Sequence, residues 1–297
     1  MHRKIGIYRN YSHPDLIGYL DPGFIPLDWT HNPYPQIREV AIHHDFGQRE
    51  AYREHHLSGV LSPKFFSKTK MRAARAHDWI EANPGYEIYL ISGGPFMPYV
   101  AFNSIERGCA IHGDEFESRA RLVYSALGVE LPERLGRQTA RNVAYTSAFV
   151  ATQDFWRTWT REILEPLRVM ETGNPDVAHA AYSLTPYFSP TPAYWVAFLY
   201  ERLISYFIQL RGIKALFYPW TADEILGLNF QPHFVPYLRR MIPLVDRIDA
   251  RSAWTDEQRD WLKSEWLETH RQGRGFEMIT SDPLNFDRPA LRPTHEP

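Results

Sequence analysis

Residues 61–71, LSPKFFSKTKM, put three lysines within seven positions after an apolar run, with Lys64 and Lys68 four residues apart. Two ammonium groups so spaced at a helix start can share one anion with the unpaired backbone N–H groups there. A solvated helix start capped by Ser67 or Thr69, with Lys70 as plain surface, fits the same residues. Polar groups also follow the other apolar runs: Arg9 and Asn10 after IGIY (5–8), Asp28 after FIPL (24–27), Gly93 and Gly94 after YEIYLIS (86–92). Ligands of open α/β sheets sit beyond the carboxyl ends of the strands. If these strands run parallel as neighbours, one crevice collects an amide, a carboxylate, an ammonium and a glycine-opened backbone. Such a set suits a nucleotide, with the ammonium on the diphosphate. Tyr8 and Asn10, on the first strand, are substrate-binding candidates on this basis. Polar residues follow most strands because loops are polar, so strand direction decides the matter.

Elements that could hold these groups are legible in order. IGIY, FIPL and HLSGVLS (56–62) read as strands, and 40–56 has mixed helical character. Residues 67–82 place Ala73, Ala76 and Ile80 on one helical face, NPG (83–85) ends that helix, and YEIYLIS is the clearest strand. Strand, helix, turn, strand is a βαβ unit and predicts a parallel or mixed sheet. Helices follow over 113–128, 153–170 and 193–212, strands at SAFVAT (147–152) and IKALFYPW (213–220), and further helices near 234–247 and 255–270. The fold class expected is α/β, a mixed, mainly parallel sheet flanked by helices, with a helical C-terminal region. Residues 1–230 form the main unit and 231–297 an extension packed on it, with a loose tail from about 281.

Composition narrows the function. The 297 residues are 44% hydrophobic and 23% charged, which is globular, and the net charge of −2 argues against bulk electrostatic binding of nucleic acid. Cys109 stands alone, so no disulfide framework exists and a reducing, cytoplasmic setting is expected. Its surroundings, ERGCAIHG, offer no activating group beyond His112, which favours a structural thiol. No apolar leader and no run of about 18 apolar residues is present, which leaves peripheral contact at an inner membrane open. Nine tryptophans, 17 tyrosines and 17 phenylalanines suit either a flat ligand or a bulky core. Trp254, Trp261 and Trp266 fit a partner or membrane surface as readily as helix packing.

Several motifs are missing. There is no glycine-rich dinucleotide fingerprint, no phosphate-binding GxxxxGK[ST] loop and no serine nucleophile elbow. His43, His44 and Asp45, with His55 and His56, invite a metal reading, but their spacing matches no zinc site. No D-x-D is present, so no metal ligand is assigned. Positive side chains would then have to neutralise a departing diphosphate, and Lys64, Lys68 and Arg38 are the candidates.

IPLDWTHNPYPQIREV (25–40) resembles an uncharacterised, glycosyltransferase-like family associated with bacterial cell-surface polysaccharide synthesis, in which a Pro-Leu-Asp, an Asn-Pro-type turn and an Arg-Glu recur ahead of a helix. GVLSPKFFSKTKM, NPGYEIYLIS, AFNSIERG, SAFVATQDFW and the helix with YERLISYF match in the same order, over roughly residues 5–210. The resemblance implies a GT-A-like fold, a nucleotide-sugar donor and a glycan or other hydroxyl acceptor. Carried over by position, it highlights Asp28, Asn32, Arg38, Glu39, Ser62, Lys64, Lys68, Asn103, Glu106, Glu201 and Arg202. Trp29 and His43-His44 depart from the pattern, and the missing D-x-D leaves the use of manganese or magnesium undecided. The expectation is glycosyl transfer, with Lys64 and Lys68 on the diphosphate and Glu106 or Glu201 on the acceptor hydroxyl. Against it stand a helix cap at Asn103 and Glu106, and a buried ion pair at Glu201 and Arg202. Two other readings stay open: a non-catalytic nucleotide- or carbohydrate-binding protein, and a metal-dependent hydrolase built on His43, His44 and Asp45.

Overall fold

The computed structural model describes residues 4–186, 192–228, 230–251 and 253–273. Period-two alternation dominates its sheet. Ile5, Ile7, Leu57, Leu61, Tyr89, Ile91 and Val150 face one apolar cluster, whereas Tyr8, Val60, Ile88, Leu90, Phe149 and Ala151 face another. Both faces are therefore covered, which is why these strands read as near-continuous apolar runs. The strands are β1 (Ile5–Tyr11), β2 (Ile25–Asp28), β3 (Leu57–Leu61), β4 (Ile88–Leu90), β5 (Phe149–Thr152) and β6 (Ala215–Phe217). Their order in the sheet is β2-β1-β3-β5-β4-β6.

β1 runs parallel to both β2 and β3, and β4 parallel to β6, while β5 is antiparallel to β3 and β4. The fold is thus α/β with a mixed, mostly parallel sheet. One expectation is corrected: β3 and β4 point the same way but are not neighbours, because β5 lies between them. That insertion is close-fitting. A methyl group on Gly59 of β3 would overlap the carbonyl oxygen of Phe149 on β5. Gly59→Ala is expected to lower the unfolding free energy by about 3 kcal/mol, since the obstacle is backbone and the two strands must part. A loss under about 1 kcal/mol in urea titrations would show that the pair yields easily.

Helices α1 (Glu39–Gln48), α2 (Phe65–Thr69) and α3 (Ala73–Ala82) flank the first strands. Next come α4 (Ser104–His112), α5 (Phe116–Ala126) and α6 (Gln153–Trp159), the last passing through a π turn (Thr160–Leu164) into α7 (Glu165–Val169). The rest are α8 (Pro175–Tyr182), α9 (Trp195–Arg211), α10 (Ala222–Leu226), α11 (Phe234–Asp249) and α12 (Asp256–Gly273). The helix expected over 67–82 is two: α2 ends at Lys70, whose φ of 54° breaks it, and α3 restarts at Ala73. Ser67 and Thr69 are not N-caps; their hydroxyls donate backward, to the carbonyls of Lys64 and Phe65.

α1, α6 and α9 cover one face of the sheet, and α2 with α3 the other. The aromatic content is mostly core: Trp156, Trp159 and Trp195 are fully buried. α11 and α12 build a third apolar cluster with residues 96–101, into which Ile225, Leu228 and Phe230 also pack. This cluster begins ahead of residue 231, where the expected extension starts. The C-terminal tryptophans belong to it, Trp266 buried and Trp254 held by Asp249 and the Arg137 guanidinium. The tail expected from about 281 lies outside the described residues. No described helix is long and apolar enough to cross a membrane.

Candidate functional site

Because β1, β2, β3, β4 and β6 all point one way, their carboxyl ends share an edge, and antiparallel β5 starts at that same edge. There a cleft of about 340 Å³, part of it open to solvent, is lined by Glu39, Val60, Ser62, Phe65, Lys68, Gly93, Thr146, Ser147, Ala148 and Glu201. Each element contributes for a local reason. β3 ends at Leu61, and Ser62 and Lys64 follow on the turn into α2, whose backbone Arg9 holds by donating from Nη2 to the Pro63 carbonyl at 2.8 Å. The loop after β4 is clamped from the start of β5: Gly93 N donates to Thr146 Oγ1 at 3.0 Å, and a methyl group on Gly94 would lie 2.6 Å from the Tyr145 ring. Tyr145 is fixed in turn by Arg202, which donates to its hydroxyl at 3.1 Å.

The charges interact. Burial pushes the Lys64 ammonium below its usual range, with Lys68 and Arg38 adding repulsion, while Glu39 and Glu201 partly restore it. Burial likewise pushes Glu201 up, opposed by Lys68, Arg202 and Arg38 and reinforced by Glu39. Arg38 sits at φ 49° and ψ −124°, a region that costs a side-chain-bearing residue about 1–3 kcal/mol. Its guanidinium lies over the Phe198 ring at 4.9 Å, on the turn of α9 that precedes Glu201.

Arg38, Glu39, Ser62, Lys64, Lys68 and Glu201 thus converge, although they span 163 positions of chain (201 − 38). Arg202 points away from the cleft. It is fully buried and donates to the carbonyls of Ser104 and Phe198, and it lies 3.6 Å from Glu201, so the pair anchors α9 while leaving the Glu201 carboxylate at the cleft.

The other candidates lie elsewhere. Asn103 caps α4 by accepting from the Glu106 backbone at 2.9 Å. Glu106 accepts from the Phe102 backbone and from Arg259 on α12, so both of its oxygens are occupied in joining α4 to the C-terminal helices. Asp28, on edge strand β2, folds onto the Thr30 backbone and hydroxyl, contacts that with the Tyr11 hydroxyl hold its carboxyl low. Asn32 makes a similar turn onto the Tyr34 backbone. Tyr8 donates to Glu54 at 2.8 Å beneath the sheet, and Asn10, two residues on along β1, is buried.

The histidine cluster diverges. His43 is fully buried, with the Tyr200 hydroxyl at 2.7 Å from Nδ1 and the Val60 carbonyl at 3.3 Å from Nε2. Asp45 pairs with Arg49 on the outside of α1. Among the described residues no three His, Cys, Asp or Glu side chains gather as metal ligands would. Cys109 is half-buried, and burial pushes its thiol up, away from nucleophilic activation.

Two lining residues, Thr146 and Ser147, escaped the sequence reading. They precede a strand instead of following one, and they reach the site only because β5 runs against its neighbours. The approach TSAFV carries no mark of that direction. Comparison of the chain with family models, with curated proteins and with solved structures gives no significant match.

Proposed function

We propose that this protein is a glycosyltransferase that moves a sugar from a nucleotide-activated donor to a hydroxyl acceptor, consistent with the GT-A-like resemblance of residues 5–210 and with a place in bacterial surface polysaccharide synthesis. The observation that supports it best is the meeting of cations and carboxylates in one partly dehydrated cleft at the carboxyl edge of the sheet. Transfer needs both signs of charge. The acceptor oxygen bonds to the anomeric carbon as the bond from that carbon to the diphosphate oxygen breaks. The acceptor's proton passes to a carboxylate, and the departing diphosphate gains negative charge. Glu201, its carboxyl pushed up toward the operating pH, suits the proton; Lys64, Lys68 and Arg38 suit the diphosphate. A divalent cation remains compatible with the donor's phosphates, and no residue here is assigned to it.

Nucleoside diphosphate binding tests the reading directly. UDP or GDP is expected to raise the melting temperature, and Lys64→Ala to weaken that binding about 10- to 100-fold, the worth of one charge-assisted contact. No stabilisation by any nucleotide, with or without manganese, would remove the glycosyltransferase assignment.

A further inference from the structure

We infer that Ser147 and Glu39 form the subsite for the transferred sugar, and that this sugar is a neutral pyranose bearing free hydroxyls, not an acidic one. The inference deepens the glycosyltransferase reading and rests on it for the donor's identity as a nucleotide sugar. Two observations carry it.

Ser147 is more than nine-tenths buried and lines the cleft, yet its hydroxyl has no hydrogen-bond partner among the described residues. A buried hydroxyl left unpaired costs about 1–3 kcal/mol, so a position of this kind is suited to a group that arrives from outside. A serine hydroxyl both donates and accepts, so a sugar hydroxyl can pair with it in either direction.

The charged side chains lining the cleft are Glu39, Glu201 and Lys68, two carboxylates against one ammonium. Lys64 and Arg38 act on the same charges without lining it. A carboxylate on the ligand would meet Glu39 and Glu201 inside, whereas a sugar hydroxyl would donate to Glu39 and keep both satisfied. Phosphates fit better toward Lys64 and Arg38, and the sugar within.

The test measures binding of UDP, GDP, UDP-glucose, UDP-galactose, GDP-mannose, UDP-glucuronate and the free sugars to the parent, Ser147→Ala and Glu39→Gln proteins. At least one neutral nucleotide sugar is expected to bind the parent about tenfold more tightly than its nucleoside diphosphate, and Ser147→Ala to lose most of that increment. Nucleoside diphosphate affinity is expected to stay constant between parent and Ser147→Ala, and the melting temperature of this variant to stay level or rise, since an unpaired hydroxyl is removed. Glu39→Gln is expected to raise UDP-glucuronate binding relative to UDP-glucose. If nucleoside diphosphates bind but Ser147→Ala holds every nucleotide sugar as the parent does, or if UDP-glucuronate binds the parent best, the subsite is overturned while nucleotide binding stands. If no nucleotide binds, yet a neutral free sugar does and Ser147→Ala weakens it, the subsite stands and the donor assignment falls. Binding of nothing in the panel overturns both.

Discussion

At pH 4.5 the protein is expected to be up to about 5 kcal/mol less stable than at pH 7, while between pH 7 and 8 its stability is expected to be nearly flat. Two buried histidines drive this. His43 sits against Phe149, Trp156 and Tyr200, and burial pulls its pKa from 6.5 down to about 4, with only partial relief from Glu39. His112 lies between Phe116 and Phe198 and beside the Arg202 guanidinium; burial, and then Arg202, Arg107 and Arg38, pull it down to about 2. The unfolded chain takes up these two protons near pH 6.5. Below that pH the unfolded state holds more protons than the folded one, so acid favours unfolding, progressively down to the folded values. Two pH units below 6.5, each histidine has withdrawn about 2.7 kcal/mol, together about 5 kcal/mol, against a typical total of about 5–15. Glu201 and Asp246, whose carboxyls burial pushes up, act in the opposite sense and temper the fall. Urea titrations from pH 8 to pH 5 measure the slope. His43→Phe keeps the aromatic packing, leaves the Tyr200 hydroxyl paired with Trp159, and is expected to flatten the acid limb by about half. An unchanged slope in that variant would clear His43 of any part in it.

Replacing Glu201 with glutamine is expected to lower kcat by about 10²- to 10⁴-fold, the usual worth of a positioned general base. The substitution keeps the shape and removes the negative charge together with the ability to take a proton. Glu201 is 17% exposed and anchored by its neighbour Arg202, so nothing in the helix needs to move. Nucleoside diphosphate affinity is expected to change by less than about threefold, because in the proposed reaction the group acts on the acceptor. The uncharged side chain also leaves Lys68 with one less carboxylate to balance it, which is expected to tighten anion binding slightly, if at all. Glu106→Gln serves as the comparison. Its carboxylate is committed to the Phe102 backbone and Arg259, so this change should reduce stability and spare turnover. Equal losses of kcat in both variants would mean that neither carboxylate is the base.

Much of the scaffold was legible from apolar runs and turn residues, because both faces of the sheet are buried and strands then differ plainly from loops. Of the residues the sequence singled out, Glu39, Ser62, Lys68 and Glu201 line one cleft, with Lys64 and Arg38 acting on the same charges from beside it. Local turn chemistry explains the residues that stand apart. Asp28, Asn32 and Asn103 are short polar side chains folded onto the backbone N–H groups just ahead of them, the commonest use of such residues and one with no need of a ligand. What could not be read was direction. Period two is the same for a strand running either way, so neither the antiparallel run of β5 nor the arrival of Ser147 at the edge left a trace in the letters.

That inserted strand also fixes when the site can come into being. β3 and β4 precede residues 149–152 in the chain, yet both pair with them, Gly59 with Val150 and Tyr89 with the same Val150. Contacts of such sequence separation form slowly, since the chain entropy of closing the loop is spent before the pairing is gained. Until then the growing chain exposes two unpaired strand edges, the surfaces on which chains associate wrongly. The cleft, lined by Ser147 and by Glu201 of α9, cannot be complete until residue 201 has been made. A polypeptide halted before residue 152 would carry both lysines and Glu39 and still have nowhere to hold a ligand.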